Sequence, residues 1–253
     1  IVYVNQVGGQ DDLVFDGGTV FVSGVLNANG TATTAQQALL GFVQKTEIGF
    51  DVYGMGYAPG DREITLFAND DELGYMKMDA ATINGEGLMD IPVKCDFQIQ
   101  VIDATHVSLV GIASSGGTRI AKLSAKVGTT VPLYPTGSDP ADVPVLSGGA
   151  VGFLGQILDN SQPLQASCDV FQAREAVIGD YNLDGAVDVS DLGILATNYG
   201  TSSGATFCMG DVNFDGAVDV SDLGILATNY GTVGGGNPMT MPEPATLSLL
   251  VIG

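Results

Sequence analysis

Tryptophan is absent from the 253-residue chain, histidine occurs once, at His106, and only eight residues are lysine or arginine. Each scarcity excludes something. Sugar-binding clefts usually stack their ligand on aromatic faces, so the lack of Trp disfavours a carbohydrate site. A single His leaves little for triad catalysis or for His-built metal sites. Against 29 Asp and Glu, the few basic residues leave a net charge of −21. Phosphate binding needs clustered Lys and Arg, so nucleic acid is excluded as a partner, and so is docking to an anionic membrane surface. No motif positions a pair of carboxylates as in a glycosidase, and the chain is expected not to be an enzyme. The acidic balance favours divalent cations.

Glycine is abundant instead, at 36 residues, and 45% of the chain is hydrophobic while 15% is charged. That is too apolar for disorder and fits many short strands joined by turns. Residues 19–26 (TVFVSGVL), 47–57 (EIGFDVYGMGY) and 62–68 (REITLFA) are rich in β-branched and aromatic residues. In DFQIQVID, Phe97, Ile99 and Val101 alternate with Gln98 and Gln100; in RIAKLSAKV, Ala121, Leu123, Ala125 and Val127 alternate with Lys122, Ser124 and Lys126. Period two with one polar face predicts half-buried antiparallel strands. Residues 150–158 (AVGFLGQIL) suit a late strand, residues 136–144 a long loop, and residues 34–44 (TAQQALLGFVQ) a helix with Ala38, Leu39 and Phe42 on one face. The fold class expected is mainly β: an antiparallel β-sandwich over residues 1–177, a small α-helical module over 178–231, and a Gly-rich linker with an apolar tail over 232–253. Ile1 opens directly on strand-like residues, so any leader is expected to have been removed or to lie outside this sequence.

Residues 179–200 (GDYNLDGAVDVSDLGILATNYG) and 210–231 (GDVNFDGAVDVSDLGILATNYG) differ at two of 22 positions and repeat with a period of 31. This is an internal duplication. Each copy has the spacing of a calcium loop. Asp180, Asn182 and Asp184 stand at positions 1, 3 and 5, Gly185 supplies the sharp turn, and Ala186 offers a backbone carbonyl at position 7. Asp188 serves directly or through water, and Asp191 closes the shell at position 12. Asp211, Asn213, Asp215, Gly216, Ala217, Asp219 and Asp222 repeat the pattern. Two Ca2+ ions are expected. Residues 179–231 contain eight Asp and no Lys or Arg, so metal binding and folding should be coupled. Leu192, Leu195, Ala196 and Tyr199 form a helical stripe after the loop, and Gly200 is a natural stop.

Cys168 and Cys208 flank the first repeat. They either pair, closing a loop of about 40 residues worth roughly 4 kcal/mol in the chain-entropy model, or stay as buried thiols. Cys95, in an apolar strand, belongs to the core. Asn29-Gly30-Thr31 is a glycosylation sequon in a turn.

The duplicated loop–helix unit resembles the type I dockerin module. That resemblance implies a cohesin-like partner docking near loop positions 10–11 and 17–18, here Val189–Ser190 and Ala196–Thr197, with Val220–Ser221 and Ala227–Thr228 in the second copy. These residues are small and lack the basic character of cellulosomal dockerins. The strand rhythm of the β region is similar to that of cohesin-like sandwiches. Pro242-Glu243-Pro244 before an apolar stretch resembles a PEP-CTERM sorting signal, which implies secretion to the bacterial cell surface or beyond. No Arg cluster follows, and the apolar stretch falls short of the ~20 residues of a bilayer span, so no stable membrane span is expected in the mature chain. The tail is expected to be held by another copy of the chain or by the chain's own β domain. Together these features lead to the expectation of a secreted structural protein that self-assembles head-to-tail with copies of itself into a filament or matrix. The alternative is a surface adhesion protein that binds a separate cohesin-like partner.

Overall fold

The computed structural model describes residues 2–4, 19–28, 36–45, 50–70, 74–82, 92–103, 106–128, 150–157, 165–234, 239–240 and 245–248. The strands are β1 (Val2–Val4), β2 (Thr19–Ala28), β3 (Gln36–Lys45), β4 (Phe50–Ala58), β5 (Glu63–Asp70), β6 (Gly74–Thr82), β7 (Val93–Asp103), β8 (His106–Ser115), β9 (Thr118–Gly128), β10 (Ala150–Ile157), β11 (Gln165–Glu175), β12 (Met239–Thr240) and β13 (Ala245–Ser248). The helices are α1 (Val189–Asn198) and α2 (Val220–Asn229), with a 3₁₀ turn at Phe207–Met209 between them. The protein is mainly β, and its sheets are antiparallel.

One sheet runs β1-β10-β3-β4-β5-β6 and the other β12-β11-β2-β7-β8-β9, with β13 also on β11. The alternation seen in sequence sets the faces. Val20, Val22, Leu26, Phe97 and Ile99 of the second sheet share one core with Leu40, Phe42, Tyr53, Met55 and Leu66 of the first. Residues 34–44, expected as a helix, instead supply β3. Ala38, Leu40 and Phe42 point into that core, and β3 is paired on both sides, with β10 and β4. Leu39, on the opposite face, is buried too. Burial on both faces removes the polar alternation that marks a strand, and non-local pairing overrides local helix propensity.

The other face of the second sheet was expected to be solvated, and is not. Phe21, Gln98 and Val110 stand abreast on β2, β7 and β8. Phe21, Val110 and Ile112 form a second core with Val177, Tyr181, Leu183, Val187, Leu195, Phe207, Cys208, Val212, Val218 and Leu226. The helical repeats therefore lie on this face, and Gln98 and Gln100 are buried beneath them. Among the described residues, both polar atoms of Gln98, the Gln100 Oε1, the Ser108 Oγ and the Tyr181 hydroxyl have no hydrogen-bond partner.

Cys168 and Cys208 do not pair: all three cysteines are free. Cys168 belongs to the core between the sheets and Cys208 to the core on the far face of the second sheet. The sheet separates them, which sequence spacing does not reveal. Burial pushes the Cys168 thiol up to about 12 and the Cys208 thiol up to about 11. Cys95 is fully buried in the first core, as expected.

In the C-terminal segment, β12 pairs with Gln172 and Ala173, and β13 with residues 165–168 of β11, so these parts of the tail add to the chain's own sheet. Asn29, residues 136–144 and Pro242-Glu243-Pro244 lie outside the described residues. Among the described residues no helix is long and apolar enough to cross a membrane.

Candidate metal centres

Each repeat begins with a left-handed turn. Leu183 and Gly185 take φ of 59° and 103°, and Phe214 and Gly216 take 57° and 88°. A glycine at the sixth position relieves the strain that a Cβ would carry there. The turn aims backbone N–H groups at the first carboxylate. Asp180 accepts from Asp184 N at 3.0 Å and Gly185 N at 2.8 Å; Asp211 accepts from Asp215 N at 3.2 Å and Gly216 N at 2.9 Å. Asn182 and Asn213 accept from the same amides of Asp184 and Asp215, each at 2.9 Å. Asp184 and Asp215 in turn accept from Ala186 N and Ala217 N.

The last carboxylate ties the loop to its helix. Asp191 accepts from Tyr181 N at 2.7 Å, Asn182 N at 3.3 Å and Asp188 N at 3.0 Å. Asp222 accepts from Val212 N at 3.0 Å and Asp219 N at 2.9 Å. Asp188 and Asp219 are the N-caps of α1 and α2 and accept from Ser190 N and Ser221 N, which completes a capping box in each copy. The D-x-x-D spacing carried that capping signal in the sequence. The reading of positions 9 and 12 as ligands alone missed it.

The two copies brace each other. Val187 N donates to Thr232 O and its carbonyl accepts from Gly231 N, at 2.9 and 2.8 Å; Val218 N donates to Thr201 O and its carbonyl accepts from Gly200 N, at 2.8 and 2.9 Å. Each loop thus pairs with the segment that follows the other repeat's helix. Val233, within the expected linker, bridges Ala186. The two positions at which the copies differ have a packing reason. Tyr181 meets the Phe207 ring edge-on at 5.4 Å, and Phe214 stacks on Phe207 at 5.8 Å. Phe207 lies outside the repeat and needs a different neighbour from each copy.

Electrostatics sets these loops apart from ordinary turns. Asp180, Asp191, Asp211 and Asp222 are all buried. Burial is the main cause that pushes Asp180 up to about 7, against the pull of the Gly185 amide and Arg174, and it raises Asp191 and Asp211 as well. Such desolvation is what a bound cation offsets. Arg174 of β11, which sequence reading did not single out, is the one basic side chain described within ion-pair distance: its Nη2 lies 3.5 Å from Asp180 Oδ2. A lone basic residue just ahead of an uncompensated acidic module was the available signal.

Among the described residues no three His, Cys, Asp or Glu side chains converge on one point; the loop carboxylates are turned onto backbone N–H groups. The donor set still fits calcium. A carboxylate has about four lone-pair sites, so two accepted N–H bonds leave acceptor capacity. No described backbone N–H donates to the carbonyl of Ala186 or Ala217, and hard oxygens of Asp, Asn and the backbone are what calcium takes.

No family model matches the chain, and no curated protein matches it significantly. The chain is similar to solved structures of scytalido-glutamic peptidase. One, with a peptide-based transition-state analog, is 10% identical with a TM-score of 0.33, over 64% of this chain and 81% of that one. Another, with a transition-state analog inhibitor, is 11% identical with a TM-score of 0.34, over 65% and 81%. Two expectations are corrected here. The matches are peptidases, so neither the self-assembling filament or adhesion reading nor the exclusion of enzymatic activity is retained. Scarcity of His and Trp was a poor ground for that exclusion, because carboxylate acid–base chemistry needs neither. A likeness this distant carries no further argument, and no residue is given a catalytic role.

Proposed function

We propose that residues 178–231 form a dockerin-like module that binds two calcium ions and packs on the outer face of a β-sandwich, in a protein secreted by a bacterium. Asp180, Asn182, Asp184, the Ala186 carbonyl, Asp188 and Asp191 would hold one ion. Asp211, Asn213, Asp215, the Ala217 carbonyl, Asp219 and Asp222 would hold the other. Bound calcium supplies positive charge to carboxylates that the fold removes from water. The chain's own residues do the rest: the loop amides orient the first and last carboxylates, the capping boxes start the helices, and Phe21, Val110 and Ile112 receive the module. The observation that carries this reading is the repeated burial of position-1 and position-12 carboxylates, with Arg174 as the only described ion-pair partner. The Pro-Glu-Pro motif supports export.

Titration of chelator-stripped chain with calcium, followed by calorimetry and far-ultraviolet circular dichroism, tests the proposal. Uptake of two ions per chain, with a gain in melting temperature and in helix signal, is the expected outcome. A chain that takes up no calcium and melts identically with and without chelator would refute it.

A further inference from the structure

The duplication supplies an internal control. The loops have the same ligand residues, and their hydrogen bonds to the position-1 carboxylate agree within a few tenths of an ångström. The positions that differ, Tyr181 against Val212 and Leu183 against Phe214, are not ligand positions. Their surroundings are unequal. Arg174 approaches Asp180 to 3.5 Å with its side chain 13% exposed and that of Asp180 fully buried. Three features hold it there. Its guanidinium lies 3.8 Å over the Phe21 ring, and Gly185 and Gly234 pack so closely that a Cβ on either would sit 3.1 or 2.9 Å from guanidinium nitrogens. Asp211 has no such neighbour among the described residues. The cation that does reach the second loop is Lys126, whose Nζ donates to the Phe214 carbonyl at 3.3 Å in an exposed contact. Phe214 is not a ligand position, and solvent screens an exposed ammonium.

We infer that Arg174 is a fixed competitor for the first calcium loop, so that two loops of nearly identical sequence bind calcium unequally and the second fills first. This rests on the calcium reading above. A unit charge within about 6 Å of a divalent ion, even at water-like screening, changes affinity about tenfold. The geometry also gives the asymmetry a direction: occupancy of the first loop competes with the contact between β11 and Asp180, whereas occupancy of the second does not.

The test uses the full chain in single-loop forms. Asp215→Ala leaves the first loop and Asp184→Ala leaves the second, and each is titrated with calcium by calorimetry. The first loop should bind about tenfold more weakly than the second. Adding Arg174→Met, which keeps length and apolar bulk, should tighten the first loop about tenfold and leave the second unchanged, while Arg174→Lys should preserve the difference. A residue that merely supported the fold would weaken calcium binding when replaced, so weaker or unchanged binding at the first loop in Arg174→Met overturns the inference. Equal affinities in the two single-loop chains overturn it without recourse to that variant. Absence of calcium uptake in every chain, the unsubstituted one included, would instead refute the calcium reading itself.

Discussion

Replacing Asp191 separates the hydrogen-bonding role of the last loop carboxylate from its proposed role as a ligand. The side chain is fully buried and accepts from Tyr181 N, Asn182 N and Asp188 N. Asp191→Ala leaves three N–H groups without their acceptor and removes half of the capping box. At about 1–3 kcal/mol for the buried Tyr181 bond, less for the part-buried Asn182 and Asp188 amides, and about 1 kcal/mol for the lost half of the capping box, the loss should be about 3–5 kcal/mol even in chelator. Asp222→Ala is the matched replicate and should cost less, about 2–4 kcal/mol, because Asp222 accepts two such bonds rather than three. Asp191→Asn keeps the shape and one acceptor oxygen but no charge. Its loss in chelator should be nearer 1 kcal/mol, since a buried charge is also removed. With calcium at about 100 times the dissociation constant, however, it should lack the roughly 2.7 kcal/mol that a filled site adds. Denaturant unfolding followed at 222 nm, with and without calcium, reads all three variants. Asp191→Ala costing under about 1 kcal/mol in chelator would refute the hydrogen-bond account. An undiminished calcium increment in Asp191→Asn would refute the placement of an ion at this loop.

Two further outcomes follow from the same geometry. Gln98 is buried between Phe21 and Val110 with both polar atoms unpartnered, so Gln98→Leu should leave stability unchanged or raise it by about 1 kcal/mol; a loss above 2 kcal/mol by thermal melting would show that the amide is satisfied. In calcium-free buffer the melting temperature should rise as pH falls from 8 to 5. Burial holds Asp180 at about 7 in the folded chain, above the ordinary carboxylate value of 3.8. The folded state therefore binds the proton more tightly, a contribution present in full below 3.8 and lost as pH rises through 7. Saturating calcium should reverse the trend, because ligation needs the deprotonated carboxylate. The same slope in both buffers would contradict the account.

What was legible in the sequence was local. The strand alternation at β7 and β9 set inner and outer faces correctly because each strand has one apolar face in the main core. The loop turns were readable from Gly185 and Gly216, since few other residues take their φ. β3 was misread because both its faces are buried, which leaves no polar period to count. Gln98 and Gln100 looked solvent-facing because nothing in a strand's own sequence tells what will cover it. The same blindness to faces left Cys168 and Cys208 open between a disulfide and buried thiols: the residues flank one repeat in sequence, yet Cys168 lies in the core shared by the two sheets and Cys208 in the core on the far face of the second sheet. Arg174 reaches Asp180 only through its three-dimensional placement over Phe21.

The reciprocal bracing makes the two copies depend on each other. Val187 of the first loop needs Gly231 and Thr232 behind α2, and Val218 of the second needs Gly200 and Thr201 behind α1. Neither loop–helix unit can satisfy its backbone alone, and two ten-residue helices are too short to persist in water unaided. The pair is thus the smallest folding unit. It still presents an apolar side, with Leu195 and Leu226 fully buried, and the sheet covers that side through Phe21, Val110 and Ile112. If the loops hold calcium as proposed, loss of either ion should weaken both halves and the seat they share, so calcium dependence should reach the β-sheet face itself and not stop at the loops.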